Sequence, residues 1–145
     1  MCPCFYVLGD SYKFRCGHLI SYINSENGWY KLVTANRSAI GGLILIRGDW
    51  YYQPGGSLLL SFNIDGDKSP YITRTILNDL RYYNSITKLR YTYLNGNHSL
   101  EFYRAANHSN VEITTFILVG DFVSSLMMYN SLVPGSGTEK GSVDL

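Results

Sequence analysis

The chain has 145 residues, 46% of them hydrophobic and 16% charged, with a formal net charge of +1. That length suits a single domain able to bury roughly two-thirds of its unfolded surface in one core. The near-neutral balance excludes long-range steering toward nucleic acid or acidic lipid, and no apolar run approaches the roughly 18 to 20 residues of a membrane-spanning helix.

In chain order, Phe5 to Leu8 and Tyr12 to Cys16 read as two short strands joined at Gly9 and Asp10, followed by His18 to Ile23. The turn Asn24 to Gly28 leads into Trp29 to Val33, and Asn36 to Ser38 is a polar loop. Leu43 to Arg47 and Trp50 to Gln53 are extended around Gly48 and Asp49, and Pro54, Gly55 and Gly56 make a break. Ser57 to Ile64 then places Leu58, Leu60, Phe62 and Ile64 on one face, a strand with one buried side. It ends at the turn Asp65, Gly66, Asp67.

Ser69 and Pro70 can start a helix, and Ile72, Ile76, Leu80 and Tyr83 fall at helical spacing, so Arg74 to Tyr83 is expected to be a helical crossover. Leu89, Tyr91 and Tyr93 lead into the Asn95-Gly96 hairpin turn, and Leu100, Phe102 and Arg104 return. Val111 to Val119 is the last expected strand. Asp121 caps a short helix with Phe122, Val123, Leu126, Met127 and Tyr129 on its apolar face. Pro134 to Leu145, rich in glycine, serine and charge, reads as a disordered tail. The fold expected is an all-β antiparallel sandwich at 1–133 with a short C-terminal helix and one helical crossover. Its core is expected to hold Leu58, Leu60, Phe62, Ile64, Leu89, Tyr91, Leu100, Phe102, Phe116 and Leu118.

Cys2, Cys4, Cys16 and His18 cluster near the start. If the first two strands pair so that Cys4 faces Cys16, Cys2 faces His18 and all four share one face, a tetrahedral zinc site is geometrically open. The spacing is not that of a zinc ribbon or finger, so isolated thiols are preferred to zinc or to a Cys4 to Cys16 disulfide, and neither metal nor cofactor is expected. The string YVLGDSY, Tyr6 to Tyr12, resembles the opening of the GDSL-type esterases, whose nucleophile would fall on Ser11. That family's Asp-x-x-His has no counterpart here, and no histidine follows His108. Asn63, Asp65 and Asp67 alternate like calcium-loop ligands, but Lys68 and Arg74 stand where glycine and a bidentate glutamate are needed. His98 and His108 read as surface histidines without a nucleophile. Asn36, Asn97 and Asn107 each begin an N-x-S triplet in an expected loop. No enzymatic activity is expected.

Arg81, Tyr82, Lys88, Arg90, Tyr103 and Arg104 interleave cations with aromatic rings and form the candidate ligand face, for carbohydrate or single-stranded nucleic acid. Against it, Tyr91 shares a face with Leu89 as core, and the charge balance gives no basic stripe, so nucleic acid is not expected as a partner.

The stretch GDWYYQPGGSLLLSFNIDGDKSPYITRT, with Pro54 and Gly56 leading a strand that ends in Ile64 and Asp65, is similar to the invasion-associated locus B family of small periplasmic proteins. The closing TTFILVGDFVSSLMMY, with Phe116, Leu118, Gly120, Phe122, Ser125 and Leu126, resembles that family's last strand and helix. The resemblance implies a compact β-sandwich without an enzymatic site, acting as a cell-envelope or secreted interaction protein on a protein partner. The start MCPCFYVLGD carries no secretion leader, so the compartment expected is periplasmic or secreted if a leader precedes Met1 and cytoplasmic otherwise.

Overall fold

The computed structural model describes residues 5–8, 12–21, 26–37, 40–50, 53–64, 71–78, 86–105, 110–120 and 123–145. Among them the strands are β1 (Phe5–Leu8), β2 (Tyr12–Ser21), β3 (Gly28–Ala35), β4 (Ile40–Trp50), β5 (Gln53–Ile64), β6 (Tyr71–Asn78), β7 (Ile86–Leu94), β8 (Asn97–Arg104), β9 (Asn110–Gly120), β10 (Leu126–Met128) and β11 (Thr138–Asp144). They form a six-stranded sheet in the order β1-β2-β9-β4-β5-β6 and a five-stranded sheet in the order β10-β3-β8-β7-β11. Every pairing is antiparallel, and the two sheets enclose one apolar core as the all-β sandwich reading expects. Among the described residues no helix is long and apolar enough to cross a membrane.

Alternation decides which residues enter that core. Leu58, Leu60, Phe62 and Ile64 of β5 are buried, as are Leu89 and Tyr91 of β7 and Leu100 and Phe102 of β8. Each aliphatic or aromatic side chain so buried is worth about 1.5 to 3 kcal/mol of transfer free energy. Asn95 (φ 49°) and Gly96 (φ 82°) take the left-handed conformations of a two-residue hairpin turn. That turn places Leu94 opposite Asn97 and so fixes the β7·β8 register.

The structure corrects the sequence reading in five places. The extended segments expected at Leu43 to Arg47 and Trp50 to Gln53 meet differently: β4 runs on to Trp50, because the chain absorbs Gly48 as an irregularity opposite β5. β5 in turn starts at Gln53 and continues through Pro54, Gly55 and Gly56, where the sequence predicts a break. In β9 the buried members are Val111, Ile113, Thr115, Ile117 and Val119, so Phe116 and Leu118 face outward rather than into the core. The run Phe116 to Val119 is apolar at both parities, and the β-branched set fits the pleated inner face.

The expected crossover helix begins instead as β6, with the rest of it, 79–83, outside the described residues. Ile72, Thr73, Thr75 and Ile76 are β-branched, and pairing with β5 outweighs the helical spacing. The expected C-terminal helix is replaced by β10, which pairs Leu126 with Ala35 and Met128 with Val33. Asn36 steers the chain onto that edge: its Oδ1 accepts from the Ser125 N–H at 3.0 Å and its Nδ2 donates to Ser124 Oγ at 2.7 Å.

The segment from Pro134 to Leu145, expected to be a disordered tail, is a strap followed by a strand. Lys31 N–H donates to the Val133 carbonyl at 2.9 Å and Gly135 N–H to the Trp29 carbonyl at 2.7 Å, so the chain hugs the β3 edge. It then leaves that edge, passes over the outside of the five-stranded sheet and pairs as β11 with β7, Thr138 opposite Tyr93 and Asp144 opposite Lys88. Its polar composition hides the alternation of half-buried Gly141, Val143 and Leu145.

Candidate functional site

The outer face of the five-stranded sheet carries part of the expected ligand face. The hairpin register sets Arg90 opposite Glu101 and Lys88 opposite Tyr103, while β3 sets Trp29 opposite Tyr103. Lys88 is exposed and pairs with Asp144 at 3.5 Å. The Tyr103 ring meets the Trp29 ring edge to face at 5.1 Å. Arg90 lies over Trp29, its guanidinium carbon 4.2 Å from the ring centroid, and its Nε donates to Glu101 Oε2 at 2.7 Å. Arg104 is elsewhere: it shares the inner face with Leu100 and Phe102 and is fully buried, so it is no part of an outer ligand face. Burial holds its guanidinium below the ordinary arginine range, opposed by the charge of Tyr30. Arg81 and Tyr82 lie outside the described residues.

The centre of this face is Glu101, which the sequence reading did not single out. It is completely buried although it points outward. The strap closes over it: Ser136 N–H donates to Oε1 at 2.8 Å and Thr92 Oγ1 donates to the same oxygen at 3.2 Å. Gly135 sits so close to the carboxylate that a Cβ there would collide with Oε2. Glu139 of β11 adds a second carboxylate 3.8 Å from Arg90 Nη1. The signal for Glu101 was present in the sequence, since a two-residue Asn95-Gly96 turn pairs Arg90 with Glu101 by counting back from the turn.

The outer face of the six-stranded sheet is different in chemistry. Phe116 of β9 pairs with Leu43 of β4, Leu45 pairs with Leu59 of β5, and Leu118 lies beside Gly41. Leu43 keeps 42% and Leu118 38% of their surface in solvent, and Leu45, Leu59 and Phe116 are half-buried among them. The block is bordered by a polar row. His18 Nδ1 and Thr114 Oγ1 share a hydrogen bond at 3.2 Å, His18 Nε2 lies 3.3 Å from Glu112 Oε1, and Arg47 reaches the same carboxylate at 4.0 Å.

The remaining sequence candidates are dispersed. β1 and β2 pair Phe5 with Arg15, the register that the zinc geometry requires, while Cys2, Cys4 and Ser11 lie outside the described residues. Among the described residues no group of three or more His, Cys, Asp or Glu side chains could hold a metal ion. Asn63 lies in β5, and Asp65, Asp67, Asn107 and His108 lie outside the described residues. His98 is half-buried at the hairpin end, its Nδ1 bonded to Tyr91 Oη at 2.5 Å and its ring tilted against Tyr93 at 5.0 Å.

No known family model matches the chain, and no curated protein matches it. Among solved structures it is similar to the tailspike protein gp49 from Acinetobacter baumannii bacteriophage Fri1, a capsular polysaccharide depolymerase, with 13% sequence identity and a TM-score of 0.48. The match covers 81% of this chain and 20% of the tailspike chain, so this chain spans about a fifth of that protein's length.

Proposed function

We infer that the protein is a non-catalytic interaction module of the cell envelope or of the secreted fraction, as the resemblance to the invasion-associated locus B family implies. It acts on a protein partner through the outer face of its six-stranded sheet. The observation that carries this reading is the cross-strand block of Leu43, Leu45, Leu59, Phe116 and Leu118, apolar at adjacent positions of three strands, exposed at Leu43 and Leu118 and half-buried between them. Contiguous apolar surface of this kind is the usual mark of a protein-binding face. The opposite outer face offers less for a ligand, because Arg90 is already bound to Glu101 and the strap occupies its middle.

The test is site-specific photo-crosslinking in the native host, with the crosslinker at Leu43 and, as control, at exposed Lys88 on the outer face of the other sheet. A discrete protein adduct formed from Leu43, absent from Lys88 and lost on Leu118→Asp, is expected. Adducts that are equal from both positions would sink the reading. So would turnover of an ester or polysaccharide by the purified protein.

A further inference from the structure

We propose that the outer edge of β6 is a self-recognition surface, on which two copies of this chain pair β6 to β6, antiparallel, about a two-fold axis at Arg74. Three observations converge on that strand. First, β6 closes the order of the six-stranded sheet, and among the described residues it pairs with β5 alone. Its second row of backbone donors and acceptors therefore suits an added strand, the partner that such an edge recognises.

Second, β6 exposes apolar side chains on both of its faces. Tyr71 keeps 60%, Ile76 47% and Leu77 55% of its surface in solvent, although Ile76 lies on the inner side of the sheet, opposite buried Leu58. A neighbouring strand would cover both sides at once. Of the usual protections of an edge, no proline and no lysine falls within Tyr71–Asn78 and the one irregularity in its pairing lies at the Asn78 end, which leaves a single charge, Arg74, in the inner row opposite Leu60.

Third, the strand reads the same in both directions about its centre, as Ile72, Thr73, Arg74, Thr75, Ile76. Two copies related by a two-fold axis at Arg74 therefore place Ile72 opposite Ile76, Thr73 opposite Thr75 and Tyr71 opposite Leu77. Like side chains meet on each face, as an isologous contact requires. The partner fitted by this edge is thus a second copy, which doubles the width of the sheet. The cost is one like-charge pair, Arg74 facing the partner's Arg74.

That cost supplies the experiment. Sedimentation equilibrium is run at ~0.1 M ionic strength on the full chain, on Arg74→Glu, on Arg74→Thr and on an equimolar mixture of wild type with Arg74→Glu. The mixture is expected to associate about tenfold or more tightly than wild type alone, because repulsion at the axis becomes attraction. Arg74→Thr is expected to self-associate more tightly than wild type, and raised salt to tighten wild type alone. Monomers in every sample at about 100 μM would overturn the proposal, as would a mixture no tighter than wild type. If Arg74→Glu does not fold, Arg74→Thr decides: unchanged association overturns the two-fold register. The proposal stands apart from the apolar block on the sheet face, since Leu118→Asp leaves the β6 edge intact and should leave self-association unchanged.

Discussion

Arg90 and Glu101 face each other across the β7·β8 ladder, 2.7 Å apart, and the carboxylate of Glu101 has no contact with solvent. An ion pair on the outer face of a sheet is ordinarily worth little, because water screens both charges. This one is roofed. Trp29 lies under the guanidinium and the strap residue Ser136 donates to the carboxylate, so the two charges compensate one another in a poorly hydrated space.

Removing one partner leaves the other charge buried and unpaired. Arg90→Met is therefore expected to cost about 3 to 5 kcal/mol, whereas the double substitution Arg90→Met with Glu101→Met is expected to cost less than Arg90→Met alone. Denaturant unfolding of Arg90→Met, Glu101→Met and the double variant checks this. A double variant that loses as much as both single changes added would show that the charges do not depend on one another.

The register of β9 makes a second prediction. Ile117 is fully buried and Leu118 is well exposed, although the two are adjacent and equally apolar. Ile117→Ala is expected to cost about 2 to 5 kcal/mol through the cavity it leaves, and Leu118→Ala less than about 0.5 kcal/mol. Equal losses in a thermal unfolding comparison would put the wrong parity on the inside.

These two cases show what the sequence could and could not reveal. β5 was legible because Leu58, Leu60, Phe62 and Ile64 alternate with Ser57, Ser61 and Asn63, so only one face can be buried. The β7·β8 hairpin was legible because Asn95-Gly96 dictates both turn and register. β9 was not, since its apolar residues occupy both parities and the choice is made by the opposing sheet. β6 and β10 satisfied helical spacing locally, and only the open edges of β5 and β3 decide for strand. The pairing of Arg90 with Glu101 follows from the same Asn95-Gly96 turn, but the burial of Glu101 does not, because the glycine-rich segment that returns over it is a long-range contact with no local trace. The apolar block on the outer face is hidden for the same reason as the parity of β9, because the sequence of that strand lets Phe116 and Leu118 pass equally well for core residues.

A third prediction concerns the close approach of two strands. Gly42 of β4 lies against the backbone of Phe116 in β9, where a Cβ would overlap the Phe116 carbonyl oxygen. Backbone cannot swing aside as a side chain can. Gly42→Ala is expected to cost about 3 kcal/mol or more by overpacking. The neighbouring Gly41→Ala is expected to be far milder, since its Cβ would meet the Asn63 side chain at 3.3 Å, a group able to move. Comparable melting temperatures for the two variants would refute the close approach.

The strap yields the last prediction, and it runs against the expectation of a disordered tail from Pro134 to Leu145. Deleting Gly135 to Leu145 removes the Gly135 N–H from the Trp29 carbonyl, the Ser136 N–H from Glu101 and the whole of β11 from the β7 edge. It also opens the Arg90·Glu101 pair to water on the side the strap now covers. The deletion is expected to destabilise the fold by at least about 3 kcal/mol, summing lost hydrogen bonds with newly uncovered apolar surface. Ser136→Pro isolates the smallest part of this effect, because proline has no N–H to donate to the carboxylate. It is expected to cost about 1 to 3 kcal/mol, the penalty of under-satisfying a buried acceptor, while Ser136→Ala, which keeps the N–H, should cost much less. A truncated chain that unfolds at the same denaturant concentration as the full one would mean that the strap contributes nothing, and that Glu101 is sheltered by the sheet and Trp29 alone.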